Sequence, residues 1–174
     1  MPVHILTGDG KGKTSAATGM AIRAAGHNKK VLIMRFCKGN KPGYYGEIKF
    51  LSSVSRNNIH IVQYGLPRIV YTSNITQEDI NEARDGWQWT KFFIDRKEYD
   101  LIILDEINIC IDLKMIDIED VKSTLKVVPS YIDIVLTGRN AHPDLIEMAD
   151  NVTEIIMKKH YYNDGVQARK GIDY

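Results

Sequence analysis

Glycines at positions 8, 10 and 12, lysines at 11 and 13 and a threonine at 14 form a pattern suited to holding phosphate. Glycine lets the backbone curl so that successive N–H groups point into one concavity. A helix opening where the loop ends adds partial positive charge aimed at the same place. In Gly8-Asp9-Gly10-Lys11-Gly12-Lys13-Thr14 the Lys13 ammonium is placed to reach the terminal phosphates of a nucleoside triphosphate, and the Thr14 hydroxyl to ligate Mg²⁺. Asp9, within the run, and Ser15, just after it, complete the expected nucleotide-binding set. The spacing departs from the standard phosphate loop. That loop has a glycine five residues before Gly12, where Thr7 stands, so the first glycine comes one residue late, and Lys11 is extra. The competing reading is a flexible glycine turn with incidental lysines. A strand before the run and a helix after it argue for the phosphate loop.

A second candidate is Asp105-Glu106, which closes the apolar run Leu101 to Leu104. A strand ending there delivers both carboxylates to the edge of a sheet where ligands of open α/β folds bind. One of them is expected to hold Mg²⁺ directly or through water; the plainer alternative is a solvated strand end. A third is Thr137-Gly138-Arg139-Asn140-Ala141-His142-Pro143, again at a strand end. Arg139 is expected to neutralise phosphate charge, since its planar fork suits phosphate oxygens. His142 reads as a helix cap, a bystander or a substrate contact. The other histidines are scattered without metal-ligand spacing. Cys37 and Cys110 lie in or beside apolar runs and read as reduced, partly buried thiols.

The elements that must position these groups alternate. Strands are expected at Val3 to Leu6, Val31 to Phe36, Ile59 to Tyr64, Leu101 to Leu104, Ile134 to Leu136 and Val152 to Met157. Helices are expected at Thr14 to Ala25, Gln77 to Lys97, Asn108 to Leu113, Ile118 to Val127 and from Pro143 onward. In the longest, Ile80, Ala83, Trp87, Thr90 and Ile94 recur every three or four residues, so that stripe faces the sheet and Trp89 covers a flank. Thr76 and Asp79 suggest a capping box. The order predicts an α/β fold: a three-layer, mostly parallel sheet with helices on both faces, as one domain over 1–174. Residues 37–58 lack clear periodicity and read as a long, glycine-bearing loop, a kind that is often functional.

The 23 basic and 22 acidic side chains nearly cancel, leaving a formal net charge of +1. No general pull toward nucleic acid or anionic membrane follows, so a bound anion must be held by local groups. No apolar stretch approaches the ~20 residues needed to cross a bilayer, and Met1 to Thr7 shows no leader pattern, so a cytoplasmic protein is expected.

Taken in order, these residues resemble the P-loop type of ATP:corrinoid adenosyltransferase, nearly end to end. The loop Gly8 to Thr14 shares that family's late first glycine. Gly26-His27 before Lys29-Lys30-Val31, then Arg35-Phe36-Cys37-Lys38-Gly39, Leu104-Asp105-Glu106, Thr137-Gly138-Arg139, Gly165-Val166-Gln167-Ala168 and Gly171-Ile172-Asp173-Tyr174 are similar to its further motifs. The resemblance implies a RecA-like P-loop fold and a reaction in which a cobalt(I) corrinoid attacks the 5′ carbon of ATP and triphosphate leaves. It implies Lys13 and Glu106 as catalytic residues. Thr14 and Glu106 are assigned to Mg²⁺, with Asp105 as the alternative carboxylate or as a partner behind the ligands. It also implies a homodimer, an electron-donating reductase as partner, and cobalamin, cobinamide or a precursor as the corrinoid. Two departures stand out. Seven residues precede Gly8, where some members carry an N-terminal extension. The family's aromatic Gly-Phe-x-Trp segment corresponds to Gly65-Leu66-Pro67-Arg68, which leaves Leu66 as an apolar wedge and Tyr71 or Tyr44 as candidate aromatic faces. A P-loop ATPase or kinase, and a non-catalytic ATP-binding module, are the competing functions.

Overall fold

Successive residues of a strand point to opposite faces. A strand apolar at every position therefore needs cover on both sides, and these strands receive it. The computed structural model describes residues 2–39, 45–54 and 58–174. Strands β1 (Val3–Thr7), β2 (Val31–Arg35), β3 (Ile59–Gln63), β4 (Leu101–Asp105), β5 (Asp133–Thr137) and β6 (Asn151–Glu154) form one sheet in the order β3-β2-β4-β5-β1-β6. Every pairing is parallel, and the registers run in step: Met34 lies opposite Leu104, Leu104 opposite Leu136, and Leu6 opposite Thr137.

The helices are α1 (Lys13–Gly26), α2 (Gly46–Val54), α3 (Gln77–Arg96), α4 (Ile107–Asp112), α5 (Ile118–Val127) and α6 (Pro143–Met148), followed by a 3₁₀ turn at Tyr161–Asp164. Two cores result, one on each face. Ile5, Leu32, Met34, Ile102, Leu104, Ile134 and Leu136 pack with residues of α3, α4, α5 and α6. Leu6, Val31, Ile33, Ile103 and Val135 pack with Ala17 and Ala21 of α1 and Leu51 of α2. Each fully buried Leu or Ile contributes about 1.5–3 kcal/mol, so the central strands are firmly seated. Beyond them β6 is exposed along its length.

The α3 pattern is as the sequence suggests. Ala83, Trp87, Thr90 and Ile94 are buried, Ile80 packs against the same core, and Trp89 remains 48% exposed. Thr76 and Asp79 form the capping box, with the Asp79 carboxylate accepting from the Thr76 N–H at 2.8 Å. One expectation is corrected. The segment 37–58 is not all loop, for it contains α2. Its apolar residues hide the period: Leu51 is buried, whereas the adjacent Phe50 is 59% exposed.

Candidate active site

Parallel strands place all their C-terminal ends on one edge of the sheet. The glycine-rich loop leaves β1 there, Asp105 ends β4 there, and Thr137 ends β5 between them. Gly8 and Gly12 have φ of 94° and 121°, a left-handed range that favours glycine. Gly10 is required for a different reason. A Cβ there would stand 2.6 Å from the Ile155 carbonyl oxygen, which accepts from the Gly10 N–H at 2.7 Å. The segment after β6 thus braces the loop. Asp9 adds to the brace, its carboxylate accepting from the Met157 N–H at 3.0 Å.

Lys13 folds back over its own loop. Its ammonium donates to the carbonyls of Gly8 at 2.7 Å and Gly10 at 2.8 Å. Burial pushes this lysine below the ordinary range, Arg139 and Lys38 push the same way, and Glu106 and Asp9 oppose them. Lys11 turns elsewhere. It bonds the Asp173 carboxylate, donates to the Ile172 carbonyl at 3.0 Å, and lies beside the Tyr161 hydroxyl. Tyr161 also bonds Asp173, and these partners hold the Asp173 carboxyl well below the usual carboxylate range. The C-terminal segment is therefore fastened to the phosphate loop.

The two carboxylates of the acidic pair have separate surroundings. Asp105 is 1% exposed. Its Oδ1 accepts from the hydroxyls of Thr14 at 2.9 Å and Thr137 at 2.7 Å, and its Oδ2 faces Arg35 Nε at 3.4 Å. Asp105 therefore orients Thr14 rather than reaching outward. Glu106 has φ of 66° and begins α4. Its Oε1 accepts from Lys38 Nζ at 3.0 Å. Burial works against the charge on Lys38, but Asp105 and Glu106 outweigh it and hold the ammonium above the ordinary lysine range. Arg35 and Lys38 were not singled out as site residues from sequence. The available signal was a cation ending an apolar strand, the mirror of Asp105 on β4. Arg35 also reaches Glu47 at 3.2 Å and stacks on Tyr45 with 4.2 Å from guanidinium to ring.

Lys11, Lys13, Thr14, Lys38, Glu106 and Asp173 line one cleft of ≈ 950 Å³, whereas Arg35, Asp105 and Thr137 do not reach it. That volume lies at the upper end of the range for small-molecule sites. The loop residues Asp9 to Ser15 form one end, with Ser15 exposed, and Arg139 reaches in with its Nη2 3.5 Å from the Asp9 carbonyl. Glu106 and Lys38 lie along the wall. Residues 67–73 form a further part of the lining, a lip where Ile69 and Tyr71 are 69% and 59% exposed. Arg68 anchors that lip to the start of α3, donating to the Asn74 carbonyl at 3.0 Å and bonding Asp79. Leu66, the sequence candidate for an apolar wedge, does not line the cleft, whereas Tyr71 does. Tyr44 falls outside the described residues. His142 proves to be a helix cap, its Nδ1 accepting from the Asp144 N–H at 3.2 Å.

The fold is similar to that of a solved structure of a KaiC-like protein, PH0186, from the archaeon Pyrococcus horikoshii. The TM-score is 0.56 at 11% identity, over 90% of this chain and 72% of that one. This likeness shows the fold, a RecA-like P-loop α/β architecture. The family model for ATP:corrinoid adenosyltransferase BtuR/CobO/CobP matches residues 2–174. This chain belongs to the ATP:corrinoid adenosyltransferase family. The corrinoid adenosyltransferases of Escherichia coli K12 and Salmonella typhimurium are 35% and 34% identical to it, each over 99% of this chain and 85% of the relative. That of Pseudomonas aeruginosa is 32% identical over 98% of this chain and 82% of its own length. Family membership thus extends through both the phosphate loop and the C-terminal segment that fastens to it.

Proposed function

We propose that this chain transfers the 5′-deoxyadenosyl group of ATP to the cobalt(I) of a reduced corrinoid and releases triphosphate. The observation that carries the reading is the cleft itself, in a chain of this family. It joins a phosphate cradle at Asp9 to Ser15 to an apolar lip at Ile69 to Tyr71. In the reaction the cobalt(I) electron pair forms the new bond to C5′. The C5′–O bond breaks, and its electrons leave on triphosphate. Cobalt(I) is a strong nucleophile, so no protein base is needed. Asp105 is saturated by hydroxyl and guanidinium donors and Glu106 is paired with Lys38, an arrangement that suits this chemistry better than activation of a water or hydroxyl.

The task left to the protein is to hold C5′ in line with cobalt and to stabilise charge on the departing triphosphate. Lys13 and the loop N–H groups do the second at the cradle, with Arg139 beside them. Lys11 joins them only by exchanging Asp173 for phosphate. Mg²⁺ fits this site. Among the described residues no cluster of three or more His, Cys, Asp or Glu is present. Mg²⁺ is typically held by one or two protein ligands together with phosphate oxygens and water. Thr14 and Glu106 would hold it, and Asp105 would fix the Thr14 hydroxyl from behind. When bound, it neutralises charge on the phosphate oxygens. Cobalamin, cobinamide or a precursor as acceptor, a reductase as electron donor, a homodimer and a cytoplasmic setting complete the proposal. Among the described residues no helix is long and apolar enough to cross a membrane.

The test is an anaerobic incubation with ATP, Mg²⁺ and a cobalt(I) corrinoid. Triphosphate and an adenosylated corrinoid in equal amounts are expected. ADP with an unchanged corrinoid would overturn the reading.

A further inference from the structure

Two thiols far apart in sequence meet beside the cleft. Cys37 Sγ lies 3.4 Å from Cys110 Sγ, and no other part of the mechanism uses either group. Cys110 sits in the middle of α4 and is fully buried; Cys37 is half-buried and lines the cleft, so a reagent in solution can reach it. The hydrogen bond from Cys110 favours the Cys37 thiolate, while the Cys110 thiol is held well above its ordinary range by the same contact and by burial. The pair therefore has a half-buried attacking sulfur on the cleft wall and a buried resolving sulfur.

The position of Cys37 gives such a pair leverage. Its φ of 53° is left-handed, and its backbone is pressed against a neighbour, since a Cβ on Gly65 would come within 2.8 Å of Cys37 Cα. Gly39 is packed as closely on Pro67, at 2.4 Å by the same measure. Lys38, between them, holds Glu106 at the head of α4, the helix that carries Cys110. A disulfide needs the sulfurs at about 2.05 Å. Drawing Cys37 toward Cys110 would therefore shift Lys38 against Glu106, two groups whose charges act on Lys13 in the glycine loop.

We propose that Cys37 and Cys110 form a reversible disulfide that lowers the affinity of the cleft for ATP. A small-molecule disulfide such as oxidised glutathione is the oxidant. The Cys37 thiolate attacks one of its sulfurs and expels one glutathione thiolate. Cys110 then loses its proton and attacks the Cys37 sulfur, expelling the second. Two protein thiols are oxidised, and one disulfide is reduced to two thiols. The inference rests on the loop as a phosphate site and not on adenosyl transfer.

The experiment equilibrates the full chain with mixtures of reduced and oxidised glutathione, traps free thiols with iodoacetamide, and maps the peptides by mass spectrometry. ATP binding is measured by calorimetry on the same samples. The expected result is a single peptide pair linked through Cys37 and Cys110, an ATP dissociation constant raised about 10- to 100-fold, and full recovery with dithiothreitol. Cys110→Ala should abolish the link and keep its ATP affinity in the oxidising mixture. The proposal is overturned if both thiols remain alkylatable, if glutathione stays on Cys37 with no link to Cys110, or if the link leaves ATP affinity unchanged. It is also overturned if Cys110→Ala loses affinity as the unaltered chain does, because an adduct would then suffice. Should that variant fail to fold, peptide mapping and binding on the unaltered chain decide.

Discussion

Lys13 is the residue on which the proposed phosphate site turns, and its surroundings set how it responds to pH. Burial lowers its pKa, so its ammonium is lost at a less alkaline pH than that of an exposed lysine. ATP affinity should fall as pH rises through that lowered value, while a Lys13→Arg variant, charged throughout, should hold its affinity across the same window. The sign for stability is opposite. The unfolded chain binds this proton more tightly, so the contribution of Lys13 to stability rises with pH between its folded and unfolded values. Lys13→Ala should cut turnover by about 10²–10³-fold, as loss of one preorganised donor does. Calorimetric ATP titrations across the alkaline range and steady-state rates check both. Asp105, by contrast, acts through Thr14 and Thr137. Thr137 was visible in the sequence only as part of a motif; its bond to Asp105 depends on β4 and β5 being neighbours.

Among the elements, α3 supports the site from a distance. Its capping box does more than start the helix, because Asp79 also takes the Arg68 side chain and so fixes the lip at 67–73. Removing Arg68 leaves the buried Asp79 carboxylate with only its bonds from Thr76, so stability should fall by roughly 1–3 kcal/mol. The lip should loosen. Arg68→Ala is expected to raise KM for the corrinoid about 10-fold with ATP affinity unchanged; an equal loss for both substrates would count against a role confined to the lip. The strands and most helices were legible because their signals are local: alternating apolar runs, the cap at Thr76, Pro143 at a helix start. Helix α2 was not, since outward-facing Phe50 beside buried Leu51 breaks the period. Of the lip, Tyr71 was named from the sequence and lines the cleft, whereas Leu66 does not and Ile69 was missed, because sequence spacing does not say which way a loop turns. The cysteine pair and the Lys11–Asp173 tie were beyond reach for the same reason as the Thr137 bond. Each requires the strand order, which no stretch of sequence carries.

At the scale of the whole molecule, the sheet is complete at Glu154, yet His160, Ile172 and Asp173 still wall the cleft. A chain truncated after Met157 should therefore keep its far-ultraviolet circular dichroism and melt cooperatively, while turnover falls about 10- to 100-fold. Unchanged turnover would show the tail to be a passenger. The braces of the phosphate loop share one origin. The Ile155 carbonyl holds Gly10, the Met157 N–H holds Asp9, and Asp173, 162 positions away, holds Lys11. Even the strands beside β1, β5 and β6, come late in the chain. During synthesis from the N-terminus the glycine loop is thus made well before the elements that support it. A nascent chain arrested before β5 would carry every residue of that loop and still lack the neighbours that give it shape, so nucleotide capture would wait until β5, β6 and the segment after them have been made.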